Sequence, residues 1–482
     1  MAGLSAGIYG SLGGYRCTIL ERHSRPGGNL TGWDRSGCHI DNCIHWLTGT
    51  AEGTELRQMW ETLGALTPGI ELCPTARLYG SEFEGKTVSL SQNLEETREN
   101  MLDIAPFDRA AVESFISAVR LAEKAQLPGR LGVGDSAAYA MAMAKFASMD
   151  LYGLSASFRH PLLRRVMTDY IGGEYVAAAL VCAYGAYACG NGGIPKGGSA
   201  AMAERMAERF RSLGGKLVTG AEVSEIRLEN TRAAGVVLRS GEFIPGDYVI
   251  CASDPEVTFG QLLGRKYTPA YLKKCYANGE KYPIFSSVQC AFEADTMPTT
   301  LKNTTVFDTV PFRVGSESVG RLAVREYSHD SCFAPEGKTV IQSMIFQREW
   351  DCAEWISKKK NSEEYAEGKA RVGELVGRSI ENHSPELKGR LKLLDVWTPA
   401  TYAEYFGANR GAFMSFAMTR GARRKKLPAQ IRGLENVLLA TQWQQMPGGL
   451  PTAAMAGKAA AEKVCALEKP RKNLSRAAAM VW

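Results

Sequence analysis

The chain begins MAGLSAGIYGSLGGYRCTILERHSRPGGNL, and the spacing of its small residues limits the fold more than anything that follows. Gly3, Ala6, Gly7 and Gly10 recur at intervals of three and four, so a helix built on them has one face nearly free of side chains. Such a face can lie directly against a sheet or another backbone. RCTILE, Arg16 to Glu21, then supplies a β-branched run that closes on an acid. A close-packing helix, a strand and a terminal acid make the second half of a dinucleotide-binding unit. The same stretch contains GLSAG, which has the G-x-S-x-G form of a hydrolase nucleophile elbow around Ser5. That elbow needs a strand before its turn, and two residues, Met1 and Ala2, cannot form one. Ser5 is therefore expected inside a helix and not as a nucleophile.

At 482 residues the chain is long enough for two domains and a large buried core. Hydrophobic residues make up 45% and charged residues 22%, as in an ordinary globular protein. A net charge of +6 with no clustered basic motif gives no reason to expect nucleic acid as a partner. Twelve cysteines lie scattered between Cys17 and Cys465 with no CxxC pair, which reads as free thiols in a reducing cytosol. The six histidines, including His23, His39 and His45, show no paired-ligand spacing, so no metal is expected. No apolar run reaches the roughly 20 residues that span a bilayer. The nearest, EYVAAALVCAYGAYACG from Glu174 to Gly190, suits a buried helix lining a cavity. The expected location is cytoplasmic, with peripheral membrane contact as an alternative use of the basic run RGARRKKLP, Arg420 to Pro428. A solvated loop is the favoured reading of that run.

Residues 1 to about 85 read as α/β, with strands near Cys17–Glu21 and His39–Asn42. Residues 91 to 190 carry long helical periodicity, as in LEETRENMLDI and RAAVESFISAVRLAEKA. GNGGIPKGGSAAMAERMAERFRSLGGKLVTGAEVSEI then returns to a glycine-rich loop, an amphipathic helix, a Gly214–Gly215 stop and a strand. Short strands AGVVLRS and DYVICA follow, and SSVQCAFEA and KTVIQSMIFQ are strand candidates in a mixed region. GLENVLLATQW reads as a buried strand before a glycine-rich loop and a small-residue helix. The expected class is α/β. A Rossmann-like dinucleotide-binding domain, its first βαβ unit incomplete, is assembled from residues 1–85, 190–260 and 430–466. A mixed helix-and-sheet substrate domain, residues 86–189 and 261–429, is inserted into it, and residues 467–482 are expected as a loose tail.

Glu21 sits where such a fold places the acid that accepts hydrogen bonds from an adenosine ribose. A solvated carboxylate is its plain reading. Gly27 and Gly28 expose adjacent backbone N–H groups to a phosphate, and Arg25 adds a fork donor, although P-G-G alone marks only a turn. The order of small-faced helix, strand, Glu and Arg-x-Gly-Gly is far more specific than its parts. It resembles the FAD-binding start of the flavoprotein family that contains phytoene desaturases, carotenoid isomerases and retinol saturases. DNCIHWLTGT, GNGGIPKGGSAAMAERMAERF, GAEVSEI, ASDP and DVWTPATYAEYFGANRGAFMSF are similar to that family's later segments. LLATQWQQMPGGLPTAAMAGKAAAEKV resembles its C-terminal flavin motif, in which Pro-Gly-Gly and a helix N-terminus approach the isoalloxazine ring. Backbone at Gly448 and Gly449 can come close to a flat ring, Pro451 is tolerated at a helix start, and a helix N-terminus favours a reduced, anionic ring.

The resemblance implies FAD as the cofactor, with NAD(P) the poorer fit. It implies contacts at Gly3, Glu21, Arg22, Arg25, Gly27, Gly28, Val223, Gln442, Gly448, Gly449, Leu450 and Pro451. It places His45 and Trp443 near the ring and assigns no catalytic residue. The family's pattern begins with a strand and G-x-G-x-x-G-L, and Gly3 stands at the third glycine. The sequence thus starts inside the fingerprint, which is expected to leave a sheet edge unpaired and FAD binding weak.

The activity the resemblance implies is desaturation, saturation or isomerisation of a long, apolar, isoprenoid-like chain, with hydride passing through flavin N5. The helices carrying AAYAMAMAKFASM and YVAAALVCAYGAYA are expected to line the apolar tunnel. A flavin amine oxidase is the alternative enzyme, sharing the split architecture but without the Pro-Gly-Gly-Leu-Pro loop. A non-catalytic flavin- or lipid-binding protein is the third reading.

Overall fold

The computed structural model describes residues 1–75, 77–169, 171–423, 425–468 and 479–481. Helix α1 (Ala2–Leu12) and strand β1 (Arg16–Glu21) come first, then β2 (Arg77–Phe83) and β3 (Lys86–Ser91). Helices α2 (Leu94–Ile104), α3 (Arg109–Gln126), α4 (Val133–Ala147), α5 (Ala177–Ala188) and α6 (Gly198–Ser212) follow. Strands β4 (Lys216–Thr219), β5 (Tyr248–Cys251), β6 (Ser286–Ala294), β7 (Thr304–Val314) and β8 (Glu317–Glu326) come next. After them come β9 (Thr339–Gln347), β10 (Leu391–Trp397), β11 (Val437–Leu439), helix α7 (Leu450–Glu468) and β12 (Ala479–Val481).

A five-stranded sheet runs in the order β11–β5–β12–β1–β4, with every pairing parallel. Its strands come from three separated stretches, as the sequence pattern indicates, and from the C-terminal strand. Small residues on α1 let that helix lie on the sheet. A Cβ at Gly7 would stand 2.9 Å from both Ile19 and Phe210, so only glycine permits the approach. Ser5 is fully buried and its hydroxyl donates to the carbonyl oxygen of Ala454 at 2.7 Å, which fixes it as a packing residue. Ile8, Ile19, Phe210, Ile250, Leu438 and Ala460 form the shared core of α1, the sheet, α6 and α7.

Two expectations are corrected here. β12 lies between β1 and β5, with Ala479 and Met480 opposite Arg16 and Cys17. In a sheet of order 3-2-1-4-5 that is the central place, so the edge of β1 expected to be unpaired is paired. Residues 479–481 are thus part of the sheet and not of a loose tail; residues 469–478 and 482 of that tail lie outside the described residues. The second correction concerns the boundary at residue 85. β2 pairs in parallel with β7, Thr305 opposite Gly80, and so β2 and β3 belong to the other sheet.

That sheet has seven strands in the order β10–β6–β9–β8–β7–β2–β3, antiparallel except at β7–β2. One face is covered by the helix Ser362–His383, where Val376 and Ile380 pack with Leu322 and Val324. The other face is turned to the interior of the molecule. Helices α3 and α5 pack with α2 in a separate helical core containing Phe115, Ile116, Leu180 and Tyr184. Helix α4 lies at the outside instead, and Met141 is 75% exposed. Arg424, within the basic run 420–428, lies outside the described residues. Among the described residues no helix is long and apolar enough to cross a membrane, and no group of His, Cys, Asp and Glu is placed to hold a metal.

Candidate cofactor and substrate cavity

A cavity of about 1250 Å³ lies between loops of the parallel sheet and the open face of the seven-stranded sheet. On the parallel-sheet side its walls are the loop after β1, the segment 42–48, the end of β5 and residues 441–453. Of the residues implicated by the sequence, Gly27, Gly28, Gln442, Gly448, Gly449, Leu450 and Pro451 line it, together with His45 and Trp443.

The glycines shape this wall. Gly27 has φ +128°, and a Cβ there would stand 2.4 Å from the Leu30 carbonyl oxygen. Gly28 has open space where its side chain would be. At the opposite loop, Gly448 is packed, since its Cβ would meet the Ser415 amide nitrogen at 2.7 Å. Gly449, at φ +125°, would meet only the end of Met414 at 3.7 Å, so its backbone faces open cavity. Gln442 holds this loop by accepting the Gly449 N–H at 2.8 Å. Helix α7 starts at Leu450 with Pro451 second, so its first turn points N–H groups and the positive end of its dipole at the same space. Asn29 Oδ1, on this wall, is buried without a hydrogen-bond partner. Two open glycine approaches, a helix N-terminus and an unused acceptor fit a flat, electron-rich ring with a phosphate tail.

The remaining implicated residues lie off the cavity. Gly3 is inside α1, and a Cβ there would meet Ala252 at 3.4 Å. Glu21 ends β1 and accepts the His23 N–H at 3.0 Å. Arg22 donates to the carbonyls of Glu404 and Tyr405, and His23 stacks on the Tyr405 ring at 4.0 Å. These contacts tie the loop after β1 to residues 404–405. Arg25 lines a separate hollow of about 360 Å³, beside Glu204. Val223 is the half-buried first residue of the strand Val223–Glu229.

His45 is positioned by Asp41, whose buried carboxylate accepts N–H bonds from Cys43, Ile44 and Ser199 at 2.6–3.0 Å. Burial, then the nearby charge of Arg325, holds the His45 imidazole well below its usual pKa. It is therefore neutral at neutral pH, a hydrogen-bonding group and not a cation. Trp443 packs edge-on against Phe416, ring centroids 5.0 Å apart.

Several cavity residues were not singled out from sequence. Asp254, in the ASDP stretch, is raised to about 7 by burial despite accepting N–H bonds from Glu256 (2.8 Å) and Asn409 (3.1 Å). On β8 and just after it, Glu317, Val319, Arg321, Ala323, Arg325 and Tyr327 all line the cavity at alternate positions. Arg321 bridges Asp169 (2.8 Å) and Asp308 (2.7 Å). Arg348 pairs with Glu174 and Glu317. Two arginines on one strand, Arg321 and Arg325, with the core residue Leu322 between them, were the available signal. The tunnel helices are half corrected. Ala179 and Tyr187 of α5 line the cavity, whereas α4, carrying AAYAMAMAKFA, contributes nothing to it.

Residues 1–465 match the family model for flavin containing amine oxidoreductases. The chain is 21% identical to a 4,4'-diaponeurosporene oxygenase of Staphylococcus aureus over 97% of each chain. It is 26% identical to a zeta-carotene-forming phytoene desaturase of Myxococcus xanthus over 56% of this chain and 52% of that one. Among solved structures it superposes on an oxidoreductase from Methanosarcina mazei with a TM-score of 0.61, at 16% identity and over 97% and 98% of the two chains. A putrescine oxidase bound to putrescine gives 0.57, at 13% identity and over 96% and 97%. At these identities the structural likeness speaks to fold alone.

Proposed function

The chain belongs to the flavin-containing amine oxidoreductase family, whose members depend on FAD, and we propose that it acts on carbon–carbon bonds of a long, apolar, isoprenoid-like polyene. The observation carrying this reading is the cavity's length. From Glu317 to Tyr327 it follows ten residues of extended chain, about 33 Å at 3.3 Å per residue. Between those ends Val319, Ala323, Val306, Ile345, Phe346 and Phe413 supply apolar wall. Burial of hydrocarbon is worth roughly 25 cal/mol per Å², so a long chain gains from such a wall and a small polar substrate does not. The relatives whose names refer to carotenoids support the same class.

Bound FAD supplies two-electron transfer to or from carbon. The chain's own part is placement. Gly28 and Gly449 let backbone approach the ring, and the first turn of α7 favours negative charge there. Neutral His45 offers a hydrogen bond without adding charge, and the apolar wall keeps water from the reacting carbons.

An amine substrate is the second reading, suggested by the description of the matching family. Its ammonium would want an unengaged carboxylate. Among the described residues lining the cavity, the acids Asp169, Asp308 and Glu317 are ion-paired with arginine, and Asp254 is turned to backbone N–H groups. The test is anaerobic mixing of FAD-loaded protein with a polyene hydrocarbon, a diamine and a hydroxy acid. Bleaching of the oxidised flavin band, or a shift of the polyene spectrum, is expected with the polyene alone. Bleaching by the diamine with no polyene response would overturn the proposal.

A further inference from the structure

Resting on the polyene reading, we propose that the substrate carries a carboxylate at one end and that Arg325 receives it at the His45 end of the cavity. The geometry around Arg325 differs from that of every other arginine on this wall. Arg321, two positions earlier on the same face of β8, is neutralised by Asp169 and Asp308 and also donates to Ser81 at 2.9 Å. Arg77 has no acidic partner, but its Nε, Nη1 and Nη2 donate to the Lys302 carbonyl, Ser89 and Thr305. Arg325 donates through Nε to Thr304 Oγ1 at 3.1 Å, and the Tyr327 hydroxyl is its other neighbour. Across the sheet it faces Thr304 on β7 and Gln342 on β9, both neutral.

The acids nearby are already engaged. Glu326, adjacent in sequence, accepts from the backbone and hydroxyl of Ser328. Asp330 accepts from the Gly197 and Cys332 amides, and Asp41 from the Cys43, Ile44 and Ser199 amides. Among the described residues no acid pairs with this half-buried guanidinium, which is costly in a low-dielectric space, and a carboxylate arriving as a fork partner removes that cost. The surroundings add unused hydrogen-bonding capacity. His329 lines the cavity too, and its buried ring nitrogens have no side-chain partner, one of them approaching only the Glu326 backbone. Burial, with a smaller part from the charge of Arg325, holds His45 and His329 in their neutral forms, so the imidazoles can complement a guanidinium-bound oxygen without competing for it.

The consequence for orientation is specific. One end of β8 is a closed set of ion pairs among Glu317, Arg321 and their partners, while the other presents an unpaired cation beside His45. A substrate with one anionic end is held in a single direction, its oxygenated end toward His45.

The test uses three fluorescent probes of equal chain length: parinaric acid, its methyl ester and the methyl-ended octadecatetraene hydrocarbon. Each is titrated into FAD-loaded wild type, Arg325→Gln and Arg325→Lys, with flavin retention measured in parallel. Wild type is expected to bind the acid at least tenfold more tightly than ester or hydrocarbon. Arg325→Gln is expected to bring the acid down to the hydrocarbon's affinity, leaving the hydrocarbon and FAD unchanged, and Arg325→Lys to keep part of the preference. Equal binding of acid and hydrocarbon by wild type overturns the carboxylate proposal while leaving the polyene reading intact. Failure of all three probes to bind overturns both. Loss of FAD in Arg325→Gln in step with loss of the acid would reassign the guanidinium to the cofactor and overturn the proposal.

Discussion

The Ser5 hydroxyl and the Ala454 carbonyl oxygen, 449 positions apart in the chain, are joined by a buried hydrogen bond of 2.7 Å. The bond clasps α1 to α7 where Gly457 leaves room for the crossing: a Cβ there would lie 2.3 Å from the Ala2 carbonyl oxygen. Gly457→Leu is therefore expected to cost about 2–3 kcal/mol through overpacking, against a helix-propensity gain of under about 1 kcal/mol. Ser5→Ala should cost about 0.5–1.5 kcal/mol, the net worth of the lost hydrogen bond, because the Ala454 carbonyl keeps its own helical N–H partner. Urea unfolding midpoints check both. An unmoved midpoint in Gly457→Leu would show that the two helices stand further apart than described.

Glu21→Gln tests the adenosine end. The existing bond from the His23 N–H survives, because an amide oxygen can accept it, so folding should be unaffected. FAD affinity is expected to fall by about 1–3 kcal/mol, as a charged acceptor is replaced by a neutral one. Flavin titration followed by fluorescence decides, and unchanged affinity would make Glu21 a solvated strand end.

Gly449→Val tests the ring end. The new side chain would point into open cavity from a backbone at φ +125°, which side chains rarely adopt. The strain is expected to lower stability by about 1–3 kcal/mol. FAD should no longer be retained through gel filtration, while the far-ultraviolet circular dichroism of the apoprotein stays that of wild type. Full flavin occupancy in this variant would place the ring elsewhere.

Asp254 makes a pH prediction. Burial raises its carboxyl to about 7, from an ordinary value of 3.8. Between those values the folded protein holds a proton that the unfolded chain has released. The contribution is therefore fully present below about pH 4 and is lost as pH rises through about 7, at roughly 1.4 kcal/mol per unit of difference. Asp254→Asn should flatten this part of the stability profile. Unfolding midpoints of both proteins from pH 4 to 8 are the measurement, and parallel profiles would refute the assignment.

The elements that decide the fold class were legible because their signals are local. The α1 stripe, the run Arg16–Glu21, Gly214–Gly215 and the Pro-Gly-Gly loop each report on a few consecutive residues, and α1, β1, α6 and α7 lie where those signals put them. The pairing of β12 was not legible, since AMV carries no feature that names a partner more than four hundred residues away. Helix α4 misled for a different reason. Alanine and methionine report low polarity and not which neighbour covers them, and here little does. The site divided the same way. Glycines at the ring loops announce backbone geometry, whereas Arg325 and Asp254 acquire their character only from what surrounds them: neutral neighbours for one, burial for the other.

The place of β12 also sets a timetable. Ala479 pairs with Arg16, a separation of 463 positions (479 minus 16), and the same strand pairs with β5. During synthesis β1 and β5 emerge from the ribosome hundreds of residues before the strand that lies between them. Their facing edges stay open until residues 479–481 have been released, and closing so long a loop is slow. The strands β6–β10, whose pairings with one another all lie between residues 286 and 397, can form in the meantime. Nascent chains stalled before residue 479 would thus present an unfinished parallel edge, the kind of surface that chaperones hold and that aggregates when they do not. Pulsed hydrogen exchange during refolding should find the β1 and β5 amides that face β12 among the last to be protected.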